Sequence, residues 1–297
     1  MCGIVGIIGK NEAAERLIDG LRRLEYRGYD SAGIATVTDN GIQRRRAEGK
    51  LKNLEAEVRE NPLPGQIGIG HTRWATHGGP TRDNAHPHAT DRVAVVHNGI
   101  IENYASLKKE LQEKQYRFES DTDTEVIAHL VTDNIKQGMS REDAANAAFD
   151  RLEGAYAIAM IFNDDENLII GARQGTPLAL GYGDGEMFIA SDSYALAPLT
   201  QKICFLEDGD RIRVTHDGAV IRAANGNEVE REIRQTAQSG ALTGKGKYKH
   251  FMLKEIHEQP SVIGDTLNSF INPSTGEIAV DPAILEALDK APRLTIT

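Results

Sequence analysis

Met1-Cys2-Gly3-Ile4-Val5-Gly6 opens the chain, and Ile7-Ile8-Gly9 completes the run. Residues 3–8 are a short apolar stretch that stops at a glycine, the pattern of a buried strand. Directly ahead of that strand stands Cys2. Once Met1 is trimmed, one residue carries both a thiol and a free α-amine. The thiol titrates near ~8.5 and the amine near ~7.7–8.0. At neutral pH the amine can therefore take the thiol proton, directly or through one water, and leave a thiolate nucleophile. A free cysteine can equally be an inert core residue. Position alone leaves both readings open.

Outward from that strand, a helix is expected from Asn11, with Leu17, Ile18, Leu21 and Leu24 on one face. Residues 33–37, 66–71 and 92–97 read as strands, and 103–115, 123–137 and 141–152 as helices. A strand-rich stretch follows at 155–162, 168–172, 187–190, 203–206, 211–214 and 219–222. Asp184-Gly185, Asp208-Gly209 and Asp217-Gly218 supply the turn chemistry that hairpins between several of these need. Strands and helices arrive in blocks without strict alternation, which predicts an α+β fold with antiparallel sheets in place of a doubly wound one. The pattern changes near Gln235. Residues 238–246 are polar and glycine-rich, as a linker would be. Helical patterns then appear around 251–257, 262–267 and 282–288, and residues 293–297 read as the opening of a strand. A final strand with no successor suggests a second domain cut short.

A net charge of −10 over 297 residues argues against nucleic acid as a partner. The Arg44-Arg45-Arg46 run reads as a solvated edge. No apolar run approaches the ~18 residues of a membrane helix. Lys10 and Asn11 interrupt anything resembling a signal peptide. Cys2 and Cys204 give no disulfide framework, and Cys204, within an apolar strand, reads as structural. The expectation is a cytoplasmic protein with no membrane partner.

Four polar segments lie beside predicted strand ends: 26–33, 71–78, 97–103 and 120–125. Singly each is a loop, a turn or, for Asp121 or Thr122, a helix N-cap. Together with Cys2 they suit one task. Thiolate attack on an amide carbonyl makes a tetrahedral oxyanion; the Asn98 side-chain amide and the Gly99 backbone N–H can stabilise it. A substrate carboxylate suits the planar guanidinium of Arg73. A substrate ammonium suits Asp123. The set describes a site for an amino acid with a side-chain amide, glutamine or asparagine. His71, His77, His86, His88 and His97 lack a carboxylate or cysteine shell at ligand spacing, so they read as satisfied loop and core histidines and no metal is expected. The Leu107/Leu111 and Val126/Ile127/Leu130 stripes read as core faces. Arg173 reads equally as a surface charge or an interface residue.

These segments carry a resemblance. Met1-Cys2-Gly3-Ile4-Val5-Gly6, the run from Leu21 through Tyr26-Arg27-Gly28-Tyr29-Asp30-Ser31 to Gly33, and His71-Thr72-Arg73-Trp74-Ala75-Thr76-His77-Gly78 are similar to class II glutamine amidotransferases. His86-Pro87-His88, His97 to Asn103 and Asp121 to Glu125 extend the match, which runs to about residue 240. Within that family of N-terminal-nucleophile hydrolases the wording resembles the branch that makes amino sugars from fructose 6-phosphate, more than the phosphoribosyl branch. The resemblance implies a four-layer αββα sandwich, no cofactor, and L-glutamine as substrate. It implies Cys2 as nucleophile, Asn98 and Gly99 as oxyanion hole, and Arg73, Thr76, His77, Gly99 and Asp123 as glutamine-binding residues. Trp74 is implied as the gate of an ammonia channel, with Arg27 and Gly28 supportive. Residues 1–240 are then a glutaminase domain. Residues 241–297 are a linker and the truncated start of a sugar-phosphate isomerase domain, with 248–260 its helical entry. The sugar site, and most of the family's homodimer contact, belong to the part that is absent. Two other readings are a glutaminase serving another synthase, such as phosphoribosyl or asparagine synthesis, and a non-catalytic binding module of the same fold.

Overall fold

Every residue of the first strand, β1 (Gly3–Ile8), is buried, because both of its faces are covered. The computed structural model describes residues 2–236, 247–271 and 282–293. After β1 come α1 (Ala13–Arg23), β2 (Ser31–Thr38), β3 (Gly41–Glu48), α2 (Leu51–Glu60), β4 (Ile67–Arg73), β5 (His88–Ala89) and β6 (Val93–Ile101). Three helices follow: α3 (Tyr104–Glu113), α4 (Glu125–Lys136) and α5 (Arg141–Phe149). The rest of the first unit, which spans Met1–Gly240, is mainly strand. It comprises β7 (Gly154–Phe162), β8 (Asp165–Gln174), β9 (Ala179–Tyr182), β10 (Met187–Ala190), the short α6 (Ser193–Leu196), β11 (Lys202–Phe205), β12 (Arg211–Thr215), β13 (Gly218–Arg222), β14 (Glu228–Val229) and β15 (Ile233–Gln235).

Two antiparallel sheets result. One runs β15-β11-β9-β10-β1-β4-β2-β3, the other β14-β13-β12-β8-β7-β6-β5. Side chains alternate across each strand, and the alternation builds the layers. On β1, Ile4 and Ile8 point to a core shared with Ala94, Val96, Ala157, Ala159 and Ile161 of the second sheet. Val5 and Ile7 point the other way, to Leu17, Ile18 and Leu21 of α1 and Leu51 and Leu54 of α2. On the second sheet, Val93, Val95, Ile158 and Met160 pack against Leu107, Leu111, Val126, Ile127 and Leu130 of α3 and α4. The order is helix, sheet, sheet, helix, the expected four layers. The Leu107/Leu111 and Val126/Ile127/Leu130 stripes are core faces, as their spacing indicated.

Several elements depart from the sequence pattern. Residues 41–48 form β3, paired to β2 from Ser31↔Glu48 to Thr38↔Gly41, although the arginine run hides any apolar alternation. That run is an edge, but it is not merely solvated. Arg45 donates to Asn61 O, and Arg46 to Asp83 O and Ala85 O, at 2.9, 2.8 and 3.2 Å, so the guanidiniums fasten neighbouring loops. Asp208-Gly209 is no hairpin turn: it carries the chain from β11 in one sheet to β12 in the other. Arg173 secures this crossover, donating to Leu206 O and lying 3.3 Å from Asp208. Neither Asp121 nor Thr122 caps α4, whose N-cap residue is Thr124 without a side-chain cap. Instead the Glu125 carboxylate reaches back to the N–H groups of Glu119 and Ser120, both at 2.8 Å. Cys204 is buried on β11.

The second unit spans Ala241–Thr297. Its described elements are α7 (Phe251–Phe270), which continues through Pro260, and α8 (Pro282–Lys290). The two helical patterns at 251–257 and 262–267 are therefore one helix. The expected linker over 238–246 lies outside the described residues, as does the strand expected over 293–297 beyond Arg293.

Candidate active site

β1 and β4 pair so that Gly3 faces Thr72 and Ile4 faces His71. Cys2, one residue before β1, therefore meets the loop that leaves β4 at Arg73. Its Sγ accepts the Trp74 backbone N–H at 3.2 Å. Burial pushes the Cys2 thiol up from its ordinary range, while the Trp74 N–H and the chain's positive terminus pull it down. The resting group is a protonated thiol that needs a base.

What aims the Trp74 N–H is Asp30, a residue whose individual part the motif reading missed. Asp30 N–H donates to Arg73 O at 2.7 Å, and its carboxylate accepts from Ala75 N–H at 2.6 Å. The turn is thus gripped on both sides of Trp74. A short polar side chain just before a strand is a weak signal in sequence, because such residues commonly make local turns. The Trp74 indole is 54% exposed and lies over Gly28. A Cβ there would come within 2.7 Å of the ring, and Gly28 has φ +75°. Gly28 therefore gives the indole its place. Arg27 bonds Asp192 together with Tyr26 Oη, fastening this loop to the end of β10.

Arg73 is buried, and its guanidinium donates to three carbonyls of its own loop: His77, Gly78 at 3.3 Å and Gly79 at 3.0 Å. Part of its donor capacity thus shapes the loop that carries Thr76 and His77. Thr76 Oγ1 lies 3.3 Å from His77 Nδ1, and the His77 ring contacts Tyr104 edge-on.

From the second sheet comes β6. Burial ends at Asn98, and Gly99 and Ile100 are exposed, so the strand leaves the core at the site. Asn98 Nδ2 donates to Cys2 O at 3.2 Å, and Asn98 Oδ1 lies 2.9 Å from His71 Nε2. Gly99 has φ +119°. Asp123, buried ahead of α4, accepts from Ile101 N–H of the same strand at 2.8 Å through Oδ2. Its Oδ1 lies 4.0 Å from His77 Nδ1. The structure therefore links Cys2, Trp74, Asn98, Asp123 and the loop of Arg73, Thr76 and His77, with Arg27 bonded to Asp192.

Behind Asn98 the histidines form a packed group. The rings of His71 and His86 are 4.2 Å apart, and those of His86 and His88 4.7 Å. Thr124 Oγ1 bridges His86 Nε2 and His97 Nδ1 at 2.8 and 2.9 Å. Complete burial pushes all four rings below the ordinary imidazole range, His71 to about 3. His71 and His88, both held to about 3, are neutral at pH 5 when folded; unfolded, each binds a proton below about pH 6.5. The unfolded state then binds more protons, so stability falls with falling pH, by about 1.4 kcal/mol per unit for each such histidine. Urea midpoints should drop between pH 7 and pH 5. Equal midpoints would mean that the rings take up protons in place.

Comparison with known proteins bears on the domain and the fold. A family model described as "Glutamine amidotransferase domain" matches residues 71–198. The chain is 55% identical to a glutamine–fructose-6-phosphate aminotransferase [isomerizing] of Gluconobacter oxydans and 54% identical to that of Brucella abortus biovar 1, covering 100% of this chain and 49% of each relative. The chain thus spans about half the length of these curated relatives. Among solved structures, the glutamine phosphoribosylpyrophosphate amidotransferase from B. subtilis superposes with a TM-score of 0.65 at 26% identity, covering 76% of this chain and 50% of that one. A glutamine aminotransferase class-II domain protein from Silicibacter pomeroyi shares the fold, with a TM-score of 0.53 at 17% identity over 75% of this chain and 99% of that one. Four layers and these relatives agree: residues 71–198 match a glutamine amidotransferase domain, and the fold is that of N-terminal-nucleophile amidotransferases.

Proposed function

We propose that this chain hydrolyses L-glutamine to glutamate and ammonia through a γ-glutamyl thioester on Cys2. The observation that carries the reading is the Asn98 amide, whose NH₂ donates to the backbone carbonyl of Cys2, the residue that bears the thiol. With Met1 removed, the Cys2 α-amine takes the thiol proton, and Sγ attacks the glutamine side-chain carbonyl carbon. The oxyanion forms against Asn98 Nδ2 and the Gly99 N–H. Collapse expels ammonia, which takes the proton held by the amine. Water then attacks the thioester, the amine accepting its proton, and glutamate leaves as the thiol reforms. Arg73, with Thr76 and His77, holds the substrate carboxylate; Asp123 Oδ1 and the Gly99 carbonyl hold its ammonium. Exposed Trp74 gates the path of ammonia, and Arg27 and Gly28 support the loop around it.

In this reading residues 1–240 are the glutaminase domain and residues 241–297 begin a sugar-phosphate isomerase domain. The ammonia serves amination of fructose 6-phosphate to glucosamine 6-phosphate in the cytoplasm, in a homodimer held mainly through that second domain. The 55% identity to fructose-6-phosphate aminotransferases, against 26% to the phosphoribosylpyrophosphate enzyme, favours this acceptor. The intact set of Cys2, Arg73, Asn98, Gly99 and Asp123 disfavours a non-catalytic module.

Asn98→Ala tests the reading. Loss of one oxyanion donor should lower kcat for glutamine hydrolysis by about 10²–10³ with KM little changed. Glutamate release measured over a glutamine series checks it, and an unchanged kcat removes Asn98 from this role.

A further inference from the structure

The Asn98 amide has two possible orientations, and only one places NH₂ against Cys2. The other turns Oδ1 towards the nucleophile, where a carbonyl oxygen repels a developing oxyanion. Something must choose, and the contacts show what. Asn98 Oδ1 lies 2.9 Å from His71 Nε2, both groups being buried. His71 stands on β4, in the sheet that carries Cys2, while Asn98 stands on β6 in the other sheet. The bond therefore crosses between the sheets immediately behind the nucleophile.

We propose that His71 is the positioning residue of the oxyanion hole: its Nε2–H, donated to Asn98 Oδ1, sets the amide so that Nδ2 faces Cys2. The inference rests on the role given to Asn98 above and goes beyond it. A neutral imidazole carries one N–H. With that proton on Nε2, the facing amide atom must be the acceptor Oδ1. With Nε2 bare, the facing atom must be a donor, and the amide reverses. The polarity of the hole is thus written in a buried tautomer. His71 is held in place by the His86 ring at 4.2 Å, and His86 by Thr124 Oγ1 at 2.8 Å. The same hydroxyl meets His97 Nδ1 at 2.9 Å. Its single proton can be donated to only one of these rings, so it must accept from the other. Thr124 follows Asp123, and His97 precedes Asn98. One group, joined by a ring contact and hydrogen bonds, therefore supports both the oxyanion side and the ammonium side of the site.

The chemistry makes the inference testable without relying on loss of activity alone. Glutamine carries an amide nitrogen at about the reach of imidazole Nε2; asparagine is one bond shorter, and leucine has no donor. In the full chain, His71→Leu and His71→Asn should lower kcat for glutamine hydrolysis by about 10², with KM within about threefold, because the hole loses its orientation and the substrate clamps remain. His71→Gln should restore kcat to within about tenfold of the parent. In an Asn98→Ala background, His71→Leu should cost nothing further, since the group it orients is gone. Multiplicative losses in the double variant, or an unaltered kcat in His71→Asn, would overturn the proposal. Should His71→Leu not fold, the contrast between the Gln and Asn variants decides. If Asn98→Ala alone leaves kcat unchanged, it is the reading of Asn98 that fails; if Asn98→Ala is slow and His71→Asn is not, only the positioning role fails.

Discussion

Cys2→Ala is expected to end glutamine hydrolysis, a fall of about 10⁴-fold or more, while glutamine binding persists. The magnitude follows from losing the nucleophile itself: what is left is stabilisation of an oxyanion that no longer forms efficiently. Binding should survive because of where the side chain sits. Cys2 is half-buried ahead of β1, outside the three apolar clusters. Its Sγ receives one backbone N–H, and the turn bearing that N–H is held independently by Asp30. Truncating the thiol thus removes a reactive atom without releasing the loop that carries Arg73, Thr76 and His77. Calorimetric titration with glutamine should give a dissociation constant close to that of the parent.

A glutamine-like electrophile adds a second arm. Cys204 is fully buried in β11, and burial pushes its thiol up as well, so it is a poor target. Intact-mass measurement should show one adduct on the parent and none on Cys2→Ala. Residual turnover in that variant, or an adduct that remains, would show that the carbonyl is attacked by something else.

The strands whose alternation faces two apolar layers were legible in sequence, and β1, β4 and β6 stand close to where periodicity puts them. Those three strands place most of the site. What stayed hidden shares a physical cause. β3 is paired along its whole length, yet its arginines spend their charge on loop carbonyls, so no hydrophobic pattern marks it. β5 is two residues long, below any period. Asp208-Gly209 has hairpin chemistry, but a turn of that kind does not specify which sheet receives the next strand. The chemistry-bearing residues were found as types: thiol, amide, guanidinium and carboxylate. Their supports were not. Asp30 and His71 act through a backbone turn and through an amide, and neither contact has a sequence spacing, since Asp30 meets Ala75 only after β2 pairs with β4, and His71 meets Asn98 only after the two sheets stack. Arg73 was read as a clamp for substrate alone, whereas much of its donor capacity builds the loop around it.

Gly99→Ala should be the most damaging single methyl group in the first unit, for fold and chemistry together. Gly99 lies at φ +119°, and a Cβ there would stand 2.0 Å from Ala155 O, 2.8 Å from Ala155 C and 3.0 Å from Tyr156 Cα. These are backbone atoms of β7, and they cannot swing aside as a side chain can. β6 and β7 are paired without a break from Val93↔Phe162 to Ile101↔Gly154, so the only relief is to part the strands at the site. Parting them moves Asn98, which faces Ala157 in that register, away from Cys2. It also moves Ile101, whose N–H holds Asp123. Destabilisation of about 2–4 kcal/mol is expected from the clash and the strained backbone together, with kcat reduced by at least about 10². Gly138→Ala separates strain from collision. Gly138 has φ +94°, but nothing lies within 4 Å of its added Cβ, so its cost should be only about 1–2 kcal/mol, with activity intact. For a domain of this size each kcal/mol lowers Tm by about 2–4 °C, so thermal melts should rank parent, Gly138→Ala and Gly99→Ala in descending order. Equal melting of the two variants would show that β7 yields at Ala155. Full glutaminase activity in Gly99→Ala would show that the approach of these two strands does not set the oxyanion site.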